Sequence, residues 1–126
     1  VKSKRALKRA DRIIGTAGTY TTIAAVARKM TVYDPDKING TIISRDTLKK
    51  LARKLFSLSG NERLAIRGME KGREFLIVPG LVVAEEVMDA FSARETVVSD
   101  GSLLEGIIQA LKKGKIKGEV YEETKI

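Results

Sequence analysis

The chain has 126 residues, with 24 Lys and Arg against 16 Asp and Glu and a formal net charge of +8. It has no Cys and no His, which excludes disulfide frameworks, thiolate chemistry, His-dependent metal sites and serine-protease-like triads. It also has no Trp and few aromatics, so base-stacking platforms are disfavoured and the charge points to a polyanionic partner.

Residues 2–11 read as a basic helix end, with Lys2, Lys4, Arg5, Lys8 and Arg9 beside the thin apolar side of Ala6, Leu7 and Ala10. Ile13-Ile14 reads as a short strand running into Gly15-Thr16-Ala17-Gly18-Thr19-Tyr20-Thr21-Thr22. A helix then starts at Thr19 or Thr21 and reaches about Met30, with Ile23, Ala24 and Ala27 at helical spacing. A strand, a small-residue turn and a helix start, in that order, can build an anion site. Glycines let the backbone approach the anion, and first-turn N–H groups and the helix dipole favour its charge. Gly15, Thr16, Ala17, Gly18, Thr19 and Thr22 are the candidate phosphate-binding residues, with Thr21 a further hydroxyl donor. The run is neither a Walker loop nor a dinucleotide fingerprint, and a ligand-free tight turn is the alternative.

Tyr33-Asp34-Pro35-Asp36 reads as a turn. Asn39-Gly40 has hairpin chemistry and precedes the short apolar run Thr41-Ile42-Ile43. Ser44 caps a helix with Leu48, Leu51, Ala52, Leu55 and Leu58 on one face and Lys49, Lys50, Arg53 and Lys54 on the other. Ser59 and Glu62 have capping-box spacing and open a short helix to about Ile66. Residues 75–78 read either as a buried strand turning at Pro79-Gly80, or as part of one long helix kinked at Pro79. A helix over 81–91 places Val83, Val87 and Phe91 together. Residues 95–99 are a strand, Asp100-Gly101 a turn, and Ser102 with Glu105 a second capping box. That helix reaches about Leu111, with Leu104, Ile107, Ile108 and Leu111 on its apolar face, before a loose tail or short strand over 112–126.

Short strands alternating with helices predict an α/β unit, most simply with parallel strands, as a single domain over 1–126. If the strands at 13–14 and 95–99 are neighbours, their two following turns line one crevice at the strands' carboxyl ends. There is no signal peptide pattern, and the longest apolar run, 75–84, is about half a bilayer span. A cytoplasmic protein without membrane contact is therefore expected. The start at Val1 reads as a trimmed or partial product.

Segments in this order resemble the Ppx/GppA family of exopolyphosphatases and guanosine pentaphosphate phosphohydrolases, in the sugar kinase–Hsc70–actin superfamily. They are the run from Ile14 through Ala25, Tyr33-Asp34-Pro35-Asp36-Lys37-Ile38-Asn39-Gly40, and Ile43-Ser44-Arg45-Asp46-Thr47-Leu48. Gly72-Arg73-Glu74-Phe75-Leu76-Ile77-Val78-Pro79-Gly80 and the run from Val97 through Gly106 complete the set. The resemblance implies an RNase H-like lobe, specifically the later part of the second lobe. It implies that 72–80 lie in one long helix, and that Asn39, Gly40, Arg73, Ser99, Asp100 and Gly101 line a cleft. It further implies release of terminal phosphate from polyphosphate or from a phosphorylated guanine nucleotide, with Mg²⁺ or Mn²⁺ and a possible homodimer. The family's catalytic Glu and first phosphate loop belong to an N-terminal lobe not found in these residues, so no catalytic residue is assigned and the metal ligands are unknown. The chain departs from the family pattern at Asn39 (usually His), Phe75 (usually acidic) and Leu104 (usually Arg).

The reading is thus a phosphate-binding part of a phosphoanhydride hydrolase, inactive alone. The alternatives are a basic nucleic-acid-binding module, which lacks any recognised motif, and a catalytically silent regulatory or interaction domain.

Overall fold

The computed structural model describes residues 8–10 and 12–115. The basic helix expected over 2–11 lies mostly outside the described residues, and Lys8, Arg9 and Ala10 belong to no regular element. The tail expected over 112–126 also lies largely outside them.

Three strands make one sheet in the order β1-β3-β2: β1 is Ile13–Thr16, β2 is Ile42–Ser44 and β3 is Glu95–Ser99. β3 is parallel to β1 and antiparallel to β2. The register pairs Ile14 and Ile42 with Val97, and Thr16 with Ser99. Because strand side chains alternate, Ile13, Gly15, Thr96, Val98 and Ile43 share one face, and Ile14, Val97 and Ile42 share the other. The first face is buried, whereas Ile14 and Ile42 are exposed.

Helices α1 (Ala17–Ala27), α3 (Arg45–Phe56) and α5 (Ile77–Ala90) pack on that buried side. Ile23, Leu48, Leu55, Ile77, Leu81, Met88 and Val98 form the centre of the core. Each large apolar side chain buried there stabilises the fold by roughly 1.5–3 kcal/mol. Thr96 is buried in the same layer with no hydrogen-bond partner for its hydroxyl among the described residues. Thr96→Val keeps the shape and removes the unmet polar group. It is expected to raise stability by about 1 kcal/mol, measured as a higher urea midpoint at unchanged slope.

The caps behave as their spacing predicts. Ser44 Oγ accepts from Thr47 N at 3.1 Å at the start of α3. Ser59 and Glu62 form a reciprocal capping box on α4 (Gly60–Leu64), which ends two residues before Ile66. The backbone and hydroxyl bonds from Ser59 hold the Glu62 carboxyl below its usual range. Ser102 and Glu105 do the same for α6 (Leu103–Lys112).

Several expectations are corrected. Residues 33–36 are not a simple turn: Asp34 caps a four-residue helix, α2 (Pro35–Ile38), with Pro35 in its first turn, where the missing N–H costs nothing. Asn39-Gly40 makes no local hairpin. Gly40, at φ +76°, instead sends the chain into β2 beside β3, and its N–H bonds Val98 O at 2.9 Å. Residues 75–78 form no strand: one helix runs through Pro79, as the second alternative has it, but it takes in only 77–80 of the stretch 72–80. Residues 71–72 and 74–76 are turns, and α5 begins at Ile77 with Pro79 in its first turn, so no kink is needed. Its buried face is Ile77, Leu81, Ala84 and Met88, while Val83 is exposed. The apolar stripe of α6 (Leu104, Ile107, Ile108, Leu111) is exposed too. No helix among the described residues is long and apolar enough to cross a membrane.

Candidate phosphate-binding site

The parallel pairing of β1 and β3 sets Thr16 opposite Ser99, so the two turns after these strands lie side by side. Their donors differ. In the second turn, Asp100 N bonds Asn39 Oδ1 at 2.7 Å, Gly101 N bonds Ser99 Oγ at 3.2 Å and Ser102 N bonds Glu105 Oε2 at 2.7 Å. Those N–H groups are satisfied internally. In the first turn, Thr16 is extended (φ −125°, ψ 174°) and makes no side-chain cap bond, and α1 has no acid in its first turn. The dipole's positive end is therefore uncompensated by any carboxylate of its own helix.

α1 begins at Ala17, earlier than Thr19 or Thr21, and ends at Ala27 rather than Met30. Gly18 and Thr19 consequently sit in the first helical turn rather than in a loop. Ala17 enters that turn at φ +65°, a conformation costing an L-residue about 1–2 kcal/mol. Ala17→Gly is expected to raise stability by about 1 kcal/mol once glycine's extra entropy is offset against that strain, as read by thermal unfolding.

Gly18 has a packing reason as well: a Cβ there would overlap the Arg73 guanidinium. Arg73 comes from the loop before α5 and pairs with Glu70 at 3.6 Å. A planar, permanently charged fork thus lies over the α1 N-terminus, the arrangement suited to a phosphate. Gly15 packs against the Tyr20 ring, and Gly80 lies against Thr19 Cγ2, where a Cβ would stand 2.6 Å away. Both glycines keep this corner close-packed.

Beside Gly18 opens a cavity of about 530 Å³ lined in part by Thr21, Met30, Tyr33, Met69, Glu70 and Arg73. Tyr33 donates its phenol O–H to the Asp100 carboxylate, which ties the start of α2 to the end of β3. Partial burial, then this hydrogen bond and the Asp100 charge, hold the Tyr33 phenol above its ordinary range.

Of the residues picked from sequence, Gly15, Thr16, Ala17, Gly18, Thr19 and Arg73 are brought together here. Asn39, Gly40, Ser99, Asp100 and Gly101 form the adjoining turn. Thr22 is buried at 3% exposure, inside the core layer, so it leaves the set. Thr21 turns its hydroxyl back to the carbonyls of Ala17 and Gly18, at 3.4 and 3.3 Å. Tyr33 and Glu70 are additions, and no local pattern marks a contact such as Tyr33–Asp100, 67 positions apart in sequence.

The implied divalent metal finds no protein cage among the described residues. No group of three acidic side chains comes together, and Asp100, in the turn after β3, is engaged by Tyr33.

Comparison with known proteins gives one answer. The family model for the Ppx/GppA phosphatase family matches residues 2–113. Exopolyphosphatase 2 of Mycobacterium tuberculosis is 31% identical over 102 residues, covering 78% of this chain and 32% of that protein. The structure of the Aquifex aeolicus Ppx/GppA family member superposes with a TM-score of 0.82 at 27% identity, over 91% of this chain and 38% of that one. An exopolyphosphatase structure from Cytophaga hutchinsonii gives 0.71 at 28% identity, over 84% and 35%. The chain spans about a third of the length of these relatives. With a matching family model over nearly its whole length and a shared α/β fold, the chain belongs to the Ppx/GppA phosphatase family.

Proposed function

We propose that this chain is the phosphate-holding part of a hydrolase cleft that removes a terminal phosphate from polyphosphate or from a phosphorylated guanine nucleotide such as pppGpp, in the cytoplasm. One observation carries the reading: the acid-free N-terminus of α1, with Gly18 under the Arg73 guanidinium. Water attack on a phosphoanhydride demands positioning and charge neutralisation more than covalent chemistry. The N–H groups of Gly18 and Thr19 and the Arg73 fork would hold phosphate oxygens, with the Thr16 and Thr19 hydroxyls as further donors. These contacts fix the phosphoryl group and offset its charge.

The same residues supply no general base, and the acids among the described residues assemble no site for a metal. The base belongs to an N-terminal lobe outside these 126 residues. The exposed sheet face of Ile14, Val97 and Ile42 and the exposed stripe of α6 are the surfaces on which further family sequence would pack.

The test is a pair of assays on the purified chain. Calorimetry is expected to show saturable tripolyphosphate binding that Gly18→Val weakens by displacing Arg73. Phosphate-release assays with polyphosphate or pppGpp, with Mg²⁺ or Mn²⁺ added, are expected to show no turnover. Metal-dependent release by the chain alone would overturn the division of labour, and absence of saturable binding would overturn the site.

A further inference from the structure

The phosphate site opens directly into the cavity of about 530 Å³ beside α1, because Gly18 and Arg73 belong to both. A group attached to a phosphate held there enters this cavity. Its size falls within the roughly 300–1,000 Å³ of small-molecule sites.

The lining sets what kind of group it accepts. Ala25, Met30, Gly68 and Met69 give apolar walls, and Tyr33 gives one aromatic ring. The hydrogen bond from the Tyr33 hydroxyl to Asp100 anchors that ring. Methionine and tyrosine side chains suit a flat, polarisable ligand. No lysine lines the cavity, and its charged residues are Glu70 and Arg73, which pair at 3.6 Å. A further run of phosphates would therefore meet a carboxylate and apolar walls in place of cations. A neutral group meets no such penalty.

Glu70 selects further. Its side chain is 70% exposed, which puts it at the cavity mouth. Partial burial first, then Asp100 and, to a smaller extent, the Glu70 charge raise the Tyr33 phenol above its ordinary range. The Glu70 carboxylate is thus within electrostatic reach of Tyr33 as well as Arg73. A carboxylate only accepts hydrogen bonds, so it favours a ligand edge with two donors side by side. Guanine has such an edge in its N1–H and 2-amino group. Adenine has one donor beside an acceptor, and an acceptor facing a carboxylate oxygen is left unsatisfied.

We propose that Glu70 is the specificity-determining residue of this site, accepting the N1–H and 2-amino donors of a guanine base seated in the cavity while the nucleotide's phosphate is held at Gly18 and Arg73. The proposal rests on the phosphate-site reading above and chooses the guanine nucleotide over polyphosphate as the ligand.

The test is calorimetric titration of the chain and its Glu70→Gln variant with GTP, ITP, ATP and tripolyphosphate. ITP keeps the N1–H and lacks the 2-amino group. Glu70 is exposed and the substitution keeps its size, so the variant is expected to fold normally, checked by its thermal midpoint. The parent chain is expected to bind GTP about tenfold more tightly than ATP, with ITP between them. The Gln amide offers one acceptor and one donor, which matches adenine. In the variant the ratio is expected to fall to about one or to invert. Each ratio is taken within one protein, so a change in phosphate affinity on losing the carboxylate cancels. A ratio of about one in the parent chain, a ratio unchanged by the variant, or absence of nucleotide binding would overturn the proposal. Tripolyphosphate binding alongside any of these would leave the α1 site standing. Discrimination among nucleotides without tripolyphosphate binding would uphold the role of Glu70 and overturn the α1 site.

Discussion

Gly68→Ala is expected to destabilise the protein by about 3 kcal/mol, the sum of a left-handed backbone penalty of 1–2 kcal/mol and an overpacking cost of similar size. Gly68 sits at φ +90°, and a Cβ there would overlap the Ala25 carbonyl and lie 2.6 Å from Val26 N. Those atoms are helix backbone, which cannot step aside as the tip of a side chain can. A loss of that size is a large share of the roughly 5–15 kcal/mol that holds a domain together. Gly72 provides the internal control, since its φ is +89° and nothing lies within 4 Å of its would-be Cβ. Gly72→Ala is expected to cost only the backbone part, about 1 kcal/mol. The difference between the two urea midpoints measures the overlap alone. Equal midpoints would mean that the loop after α4 does not press on α1.

Arg73→Ala is expected to weaken tripolyphosphate binding by about tenfold to a hundredfold, as for loss of a charge-assisted bond of roughly 1.5–3 kcal/mol. Two effects act in the same direction. The fork over Gly18 is lost, and Glu70, now without its 3.6 Å partner, stands as an uncompensated carboxylate beside the incoming anion. Arg73→Lys keeps the charge but not the bidentate geometry, so only part of the affinity is expected to return. Folding should change little, because the Arg73 side chain is partly exposed. Calorimetric titration of the three proteins decides the matter. Identical affinities would reduce Arg73 to a structural partner of Glu70.

Much of the scaffold was legible because its signals are local. Ser44, Ser59 and Ser102 are caps followed at fixed spacing by the groups they bond. The strand at 95–99 is β-branched and ends in Asp-Gly, so its type and end follow from composition. The start of α1 was not legible in that way. Gly18 looks like loop punctuation, yet the helix already begins at Ala17 in a left-handed conformation that no local preference favours. α5 fails for a different reason. Apolar residues fill nearly every side of its sequence, so only packing selects Ile77, Leu81, Ala84 and Met88 as the buried set. The crevice depends on β1 and β3 being neighbours, a condition that no local signal sets and that their parallel register meets. Satisfaction of the second turn by Asn39, Ser99 and Glu105 is a tertiary outcome. It shifts the proposed anion site towards α1.

The most direct test of that site is an amide-shift titration of the chain with tripolyphosphate, alongside a DNA oligonucleotide of matched charge. Saturable shifts confined to Gly15, Thr16, Ala17, Gly18 and Thr19, with the Arg73 side chain, and seen only with the phosphate are the predicted result. Diffuse, salt-sensitive shifts over the surface lysines and arginines with both ligands would contradict it, and would leave the turn after β1 as a structural junction.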